Sequence, residues 1–199
     1  MSKIPVTIFA EMTPNPNTMK FVANNYLIDP SATAEFKNQK ETKGFSPMAD
    51  ELFNFPFVKE VYFANNFVSI TKDDSLAWDY ITTELRDYIR NYIADGKQVI
   101  TKIPEEKPAI EVEDKTIDTS NYSPSELDDT IKALLDEYVK PIVEGDGGAI
   151  EFRNYKDGVV TVVLKGACNG CPSSTVTLKS GIEQILKQHI PEITDVVSE

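Results

Sequence analysis

Val159-Val160-Thr161-Val162-Val163-Leu164-Lys165-Gly166-Ala167-Cys168-Asn169-Gly170-Cys171-Pro172-Ser173-Ser174 carries both cysteines of a 199-residue chain and organises its C-terminal half. Residues 159–164 are dense in β-branched side chains and read as a strand, whereas the segment after Cys171 has helical apolar spacing. The two thiols therefore sit on a strand-to-helix loop. Pro172 suits the first position of that helix, which puts Cys171 at or beside its N-cap. There its sulfur lies among unsatisfied backbone N–H groups at the positive end of the helix dipole. Such a setting favours the thiolate, the form that binds a metal or attacks a disulfide. The geometry of the loop leaves both chemistries open.

Working outward, Val176, Leu178, Ile182, Ile185, Leu186 and Ile190 give the following helix one broad apolar face, Pro191 marks its end, and Ile193 to Val197 reads as a last short strand. Upstream, Lys156-Asp157-Gly158 turns out of a strand at Ala149–Arg153. The permissive turn Glu144-Gly145-Asp146-Gly147-Gly148 precedes that strand. Before it, Ser123-Pro124-Ser125-Glu126 forms a capping box for a helix with Leu127, Ile131, Leu134, Leu135, Tyr138 and Val139 on one stripe. Pro141 is expected to end or kink that helix. The resulting order is helix, strand, strand, cysteine loop, helix, strand, a small α+β module. His189, the single histidine, falls near the end of the last helix and is expected to serve a surface or helix-dipole role, not a ligand role.

The N-terminal half has its own periodicities. Val6–Phe9 and Lys20–Ala23 read as strands joined by a connector of two prolines and two asparagines, and Glu35–Gly44 reads as a loop. Ser46 caps a short helix with Pro47 at its first position. Val58–Phe63 and Phe67–Thr71 read as a hairpin around Asn65-Asn66. Trp78, Ile81, Leu85, Tyr88, Ile89 and Tyr92 form a helical stripe facing that sheet, closed by Asp95-Gly96. The expected organisation is two small α+β domains, residues 1–96 and 123–199, joined by an acidic, proline-containing linker over 97–122.

Composition narrows the function classes. A formal charge of −12 argues against a nucleic-acid or anionic-membrane partner, both of which require clustered Lys and Arg. No apolar run approaches the roughly 20 residues that span a bilayer. The start Met1-Ser2-Lys3-Ile4-Pro5 has no signal-peptide core and no arginine-rich presequence, so a cytoplasmic location is expected. In that compartment a C-x-x-C is more often metal-binding or redox-active than a structural disulfide.

Ligand counting then limits the metal options. A structural zinc site or an iron–sulfur cubane normally requires four protein ligands, and the chain has two cysteines. Two copies related by a twofold axis would each supply Cys168 and Cys171 and so complete a shared site. A centre held that way lies at a subunit interface, where incoming thiolates can replace its ligands one by one, which suits transfer better than storage.

The motifs also resemble a known family. Glu144-Gly145-Asp146-Gly147-Gly148, Gly166 to Leu178 and Gly181-Ile182-Glu183 resemble the C-terminal domain of NifU and the Nfu iron–sulfur carrier proteins. Thr13 to Phe21 and the block from Ser46 to Lys72 resemble the N-terminal domain of Nfu proteins. The resemblance implies a 4Fe-4S cluster shared by two subunits, with Cys168 and Cys171 as its cofactor-binding and metal-ligating residues. The same ligands leave a 2Fe-2S form open. It implies further a homodimer when cluster-bound, apo iron–sulfur proteins as clients, upstream cluster donors, and no catalytic turnover. The competing enzyme reading is a thioredoxin-like dithiol oxidoreductase in which Cys168 attacks and Cys171 resolves. Against it stand Asn169-Gly170 between the cysteines and a helix-strand-strand entry. A third reading is a zinc-linked dimer.

Overall fold

The computed structural model describes residues 5–104, 126–169 and 172–198. It is an α+β protein with two sheets, one in each half of the chain. The N-terminal sheet has the order β1-β2-β5-β4-β3 and is antiparallel throughout; its strands are β1 (Ile8–Met12), β2 (Thr18–Ala23), β3 (Thr33–Phe36), β4 (Val58–Ala64) and β5 (Phe67–Lys72). Alternation sends Phe21, Phe36, Val61, Phe63, Val68 and Ile70 to one face. There they meet α2 (Pro47–Leu52) and α3 (Trp78–Ala94), whose Met48, Leu52, Ile81, Leu85 and Ile89 are buried. The Ser46 hydroxyl accepts the Ala49 N–H at 3.0 Å as the cap predicted from sequence, and donates to the Val99 carbonyl at 2.8 Å.

The stretch expected to be a loop at 35–44 contains structure. The end of β3 occupies its first residues, and a one-turn helix, α1 (Gln39–Thr42), follows. Asn38 caps that turn by accepting the Lys40 and Glu41 N–H groups, and the Glu41 carboxylate accepts the Lys37 N–H at 2.8 Å. These local polar bonds replace the apolar period that a sequence reading looks for. Past Gly96 the chain stays against this core, with Val99 and Ile100 packed on it and Thr101 N–H donating to the Phe45 carbonyl at 2.7 Å. The rest of the expected linker and the start of the expected capping box at Ser123 lie outside the described residues.

The C-terminal unit begins with α4 (Glu126–Leu134), continues through a π-helical turn at Leu135–Val139, and ends in α5 (Lys140–Gly145). Pro141 therefore does not end the helix. The wider turn before it relaxes the clash with the carbonyl four residues back and absorbs the missing N–H. Ile131, Leu135, Val139 and Val143 are buried on one side against β6 (Gly148–Lys156), β7 (Val159–Gly166) and α6 (Pro172–His189). β6 pairs antiparallel with β7, and β8 (Asp195–Ser198) pairs parallel with β7 after the α6 crossover. The element order is the one predicted from the sequence.

Candidate metal centre

The register of β6 and β7 decides where the cysteine loop lies. Gly148 pairs with Gly166, so the two glycine motifs of the sequence meet at one end of the hairpin. Ala167 N–H donates to the Gly147 carbonyl at 3.2 Å, and Asn169 N–H turns back to the Gly166 carbonyl at 3.0 Å. Cys168 follows immediately and is 5% exposed, packed against the C-terminal core. Gly148 is required here by close approach: a Cβ on it would stand 2.7 Å from the Cys168 Sγ and 2.6 Å from the Lys165 carbonyl oxygen. The loop is thus seated by backbone contacts that admit no side chain at 148.

Cys171 precedes α6 directly in sequence, but it and Gly170 lie outside the described residues. Cys168 is therefore the predicted ligand that the structure places. It opens on an apolar cavity of about 380 Å³ between α5 and α6, lined by Val139, Ile142, Leu178, Gly181, Ile182 and Ile185, with Asp146, Ala167 and Pro14 completing the wall. An apolar lining of this kind limits water access and lowers the local dielectric around a bound centre. Among the described residues no three His, Cys, Asp or Glu side chains converge as a metal site. His189 stacks on the Tyr138 ring, with centroids 5.5 Å apart, and does not line the cavity. The donor placed here is soft sulfur in an apolar surround, which fits thiolate-held iron–sulfur or zinc better than a hard cation. Within the described part of one chain that set is incomplete.

A feature that the sequence reading missed is that the N-terminal unit reaches this loop. Asn15 Nδ2 donates to the Ala167 carbonyl at 3.3 Å, and Gly166 N–H donates to the Glu35 carboxylate at 2.8 Å. Tyr62, Ala64, Phe67 and Ala149 form a small buried apolar cluster across the contact. A signal was present: Tyr62 and Phe67 fall on the face of the antiparallel sheet that alternation assigns to solvent.

Comparison with known proteins places both halves. The scaffold protein Nfu/NifU N-terminal family matches residues 8–96, and the NifU-like domain family matches residues 131–197. The human mitochondrial NFU1 iron-sulfur cluster scaffold homolog is 34% identical over 195 residues, covering 92% of this chain and 68% of the human protein. A NifU-like protein of Schizosaccharomyces pombe is 34% identical over 195 residues, covering 96% of this chain and 72% of its own length. The mitochondrial NifU-like protein 4 of Arabidopsis thaliana is 32% identical over 194 residues, covering 96% and 65%. This chain spans about two thirds of the length of such relatives. Both family matches follow the order in which the fold presents its two units, and the chain belongs to the Nfu/NifU family of iron–sulfur cluster scaffold proteins.

Proposed function

We propose that the chain is a carrier that binds a 4Fe-4S cluster between two subunits through Cys168 and Cys171 of each, and passes it to apo-proteins. The observation that carries this reading is the placement of Cys168 at the end of β7, directly before the loop to α6, beside an apolar cavity and with no convergent His, Cys, Asp or Glu set among the described residues. A site in that condition is completed by a second copy, which brings the same two thiolates through a twofold axis. Each chain's own residues hold the loop in place: the Gly147 carbonyl fixes Ala167, and Gly148 leaves room for the Cys168 sulfur. The cluster is the cargo. Ligands at a subunit interface are open to stepwise replacement by the thiolates of a recipient.

The human relative is named as an iron-sulfur cluster scaffold homolog, which accords with a protein that binds a cluster and hands it over without turnover of its own. Apo iron–sulfur proteins and upstream cluster donors are the partners implied. Among the described residues no helix is long and apolar enough to cross a membrane. The cytoplasmic location expected from Met1–Pro5 is not shared by the human and Arabidopsis relatives, whose names place them in mitochondria.

The test is anaerobic reconstitution with iron and sulfide followed by incubation with an apo-protein that takes a 4Fe-4S cluster. A brown protein that activates the recipient, and loses both properties on Cys168→Ser or Cys171→Ser, supports the carrier. A colourless protein with disulfide reductase activity contradicts it.

A further inference from the structure

One face of the N-terminal sheet packs on α2 and α3; the other meets the C-terminal unit over part of its area, through a polar cross-strand row and the adjoining Ala64 and Phe67, while Phe9 and Glu11 on β1 stay exposed. Strand register places Glu11 opposite Lys20, Lys20 opposite Ser69, Ser69 opposite Tyr62, and Tyr62 opposite Glu35, so these five residues form one line across five strands. Four of them touch the two glycine loops that frame Cys168. Lys20 Nζ donates to the Glu144 and Gly145 carbonyls, both at 3.1 Å, at the C-terminal end of α5 where a cation is favoured. Ser69 Oγ donates to the Gly147 carbonyl at 2.7 Å, and Glu35 accepts the Gly166 N–H. The Tyr62 ring lies against Gly166, whose φ of +63° favours glycine and where a Cβ would come within 2.8 Å of the ring.

We propose that this contact is a reversible cap. The outer row of the N-terminal sheet takes as its ligand the backbone of residues 144–147 and 166–167 of the same chain, and a second copy displaces it when two cysteine loops pair. The chemistry points to a reversible contact: the recognition is largely polar and addresses main-chain groups, around an apolar patch of only Tyr62, Ala64, Phe67 and Ala149. Contacts of that composition resemble transient interfaces more than a shared core. Competition follows from position. Asn15 bonds the residue before Cys168, and Pro14 forms part of the wall of the cavity onto which Cys168 opens, so a partner loop approaching this sulfur meets the N-terminal connector first. The displacement step rests on the reading that two loops share one cluster; the cap itself does not.

The experiment uses the full chain, isotope-labelled, with Lys20→Glu as the principal variant and Ser69→Ala as a milder one. Lys20→Glu sets a carboxylate against the Glu144 and Gly145 carbonyls. In the apo protein the Gly166 amide, whose hydrogen-bond acceptor is on the other unit, is expected to exchange at least about tenfold faster in Lys20→Glu and by a smaller factor in Ser69→Ala. The Val162 and Leu164 amides of β7 keep their protection. Unchanged Gly166 exchange in both variants overturns the cap. On anaerobic reconstitution, Lys20→Glu is expected to take up iron several-fold faster than the natural chain, because the competing contact is gone. Equal or slower uptake overturns the displacement. Failure of both chains to load any cluster refutes the site reading and displacement together, while the Gly166 exchange still decides whether the cap exists.

Discussion

Replacing Gly148 by alanine tests the seating of Cys168 with one methyl group. The added Cβ would stand 2.6 Å from the Lys165 carbonyl, 2.7 Å from the Cys168 Sγ and 3.1 Å from the Cys168 Cβ, the first two closer than real Cβ contacts allow. Retreat is blocked on one side because Lys165 belongs to β7 and Gly148 pairs with Gly166, so moving the carbonyl opens the end of the β6–β7 ladder. The sulfur must move instead, away from the position in which it lines the cavity. Overpacking of this kind costs about 1–3 kcal/mol, and a clash with backbone belongs near the top of that range. For a unit of under about 100 residues, a loss of about 3 kcal/mol lowers Tm by roughly 12–24 °C. Thermal melts followed by circular dichroism, with β7 amide signals to identify the C-terminal unit, give the stability. Trp78, the single tryptophan, lies on α3 and reports the N-terminal unit separately by fluorescence. Gly148→Ala is expected to lower the C-terminal transition, leave the fluorescence transition near its place, and reduce iron bound per chain. An unchanged C-terminal transition with full iron content would refute the role assigned to Gly148.

Other outcomes follow from the same structure. Burial, with the Glu144, Glu35 and Glu151 carboxylates adding to it, pushes the Tyr62 phenol well above the ordinary range. The contact between the units is therefore fully present below about pH 10 and weakens as pH rises above it, because the unfavourable ionised form must be accommodated. Ultraviolet difference titration is expected to show Tyr62 ionising well above the ordinary phenol range in the natural chain, and at lower pH in Lys20→Glu. Leu85→Ala empties a fully buried position on α3 and is expected to cost about 2–5 kcal/mol in denaturant unfolding of the N-terminal unit. Ser46→Ala removes both the cap on α2 and the bond to the Val99 carbonyl, for a loss of about 1–2 kcal/mol by the same measurement.

The elements closest to the cysteines were legible because each carries its own local signal. The β-branched run before Gly166, the proline after Cys171 and the apolar face of α6 each fix one neighbour of the loop, and the cysteine count limits a single chain to two thiolates. Pro141 was legible as a disturbance of the helix but not as one the helix survives: a π-helical turn precedes it, with Val139 and Val143 packed in the core, where the helix could instead have ended. α1 was missed because four residues held by Asn38 and Glu41 side chains show no period. The row from Lys20 to Glu35 could not be read at all from any one strand. It exists only once the register of β2, β5, β4 and β3 is set, and each member taken singly looks like an ordinary solvent-facing residue except Tyr62.

Native mass spectrometry of the anaerobically reconstituted full chain bears on the shared cluster without intermediate steps. The expected result is a species of two chains carrying one 4Fe-4S unit, about two iron atoms per chain, reverting to apo protein in Cys168→Ser. A single chain holding a complete cluster, or a dimer carrying zinc and no sulfide, contradicts the account.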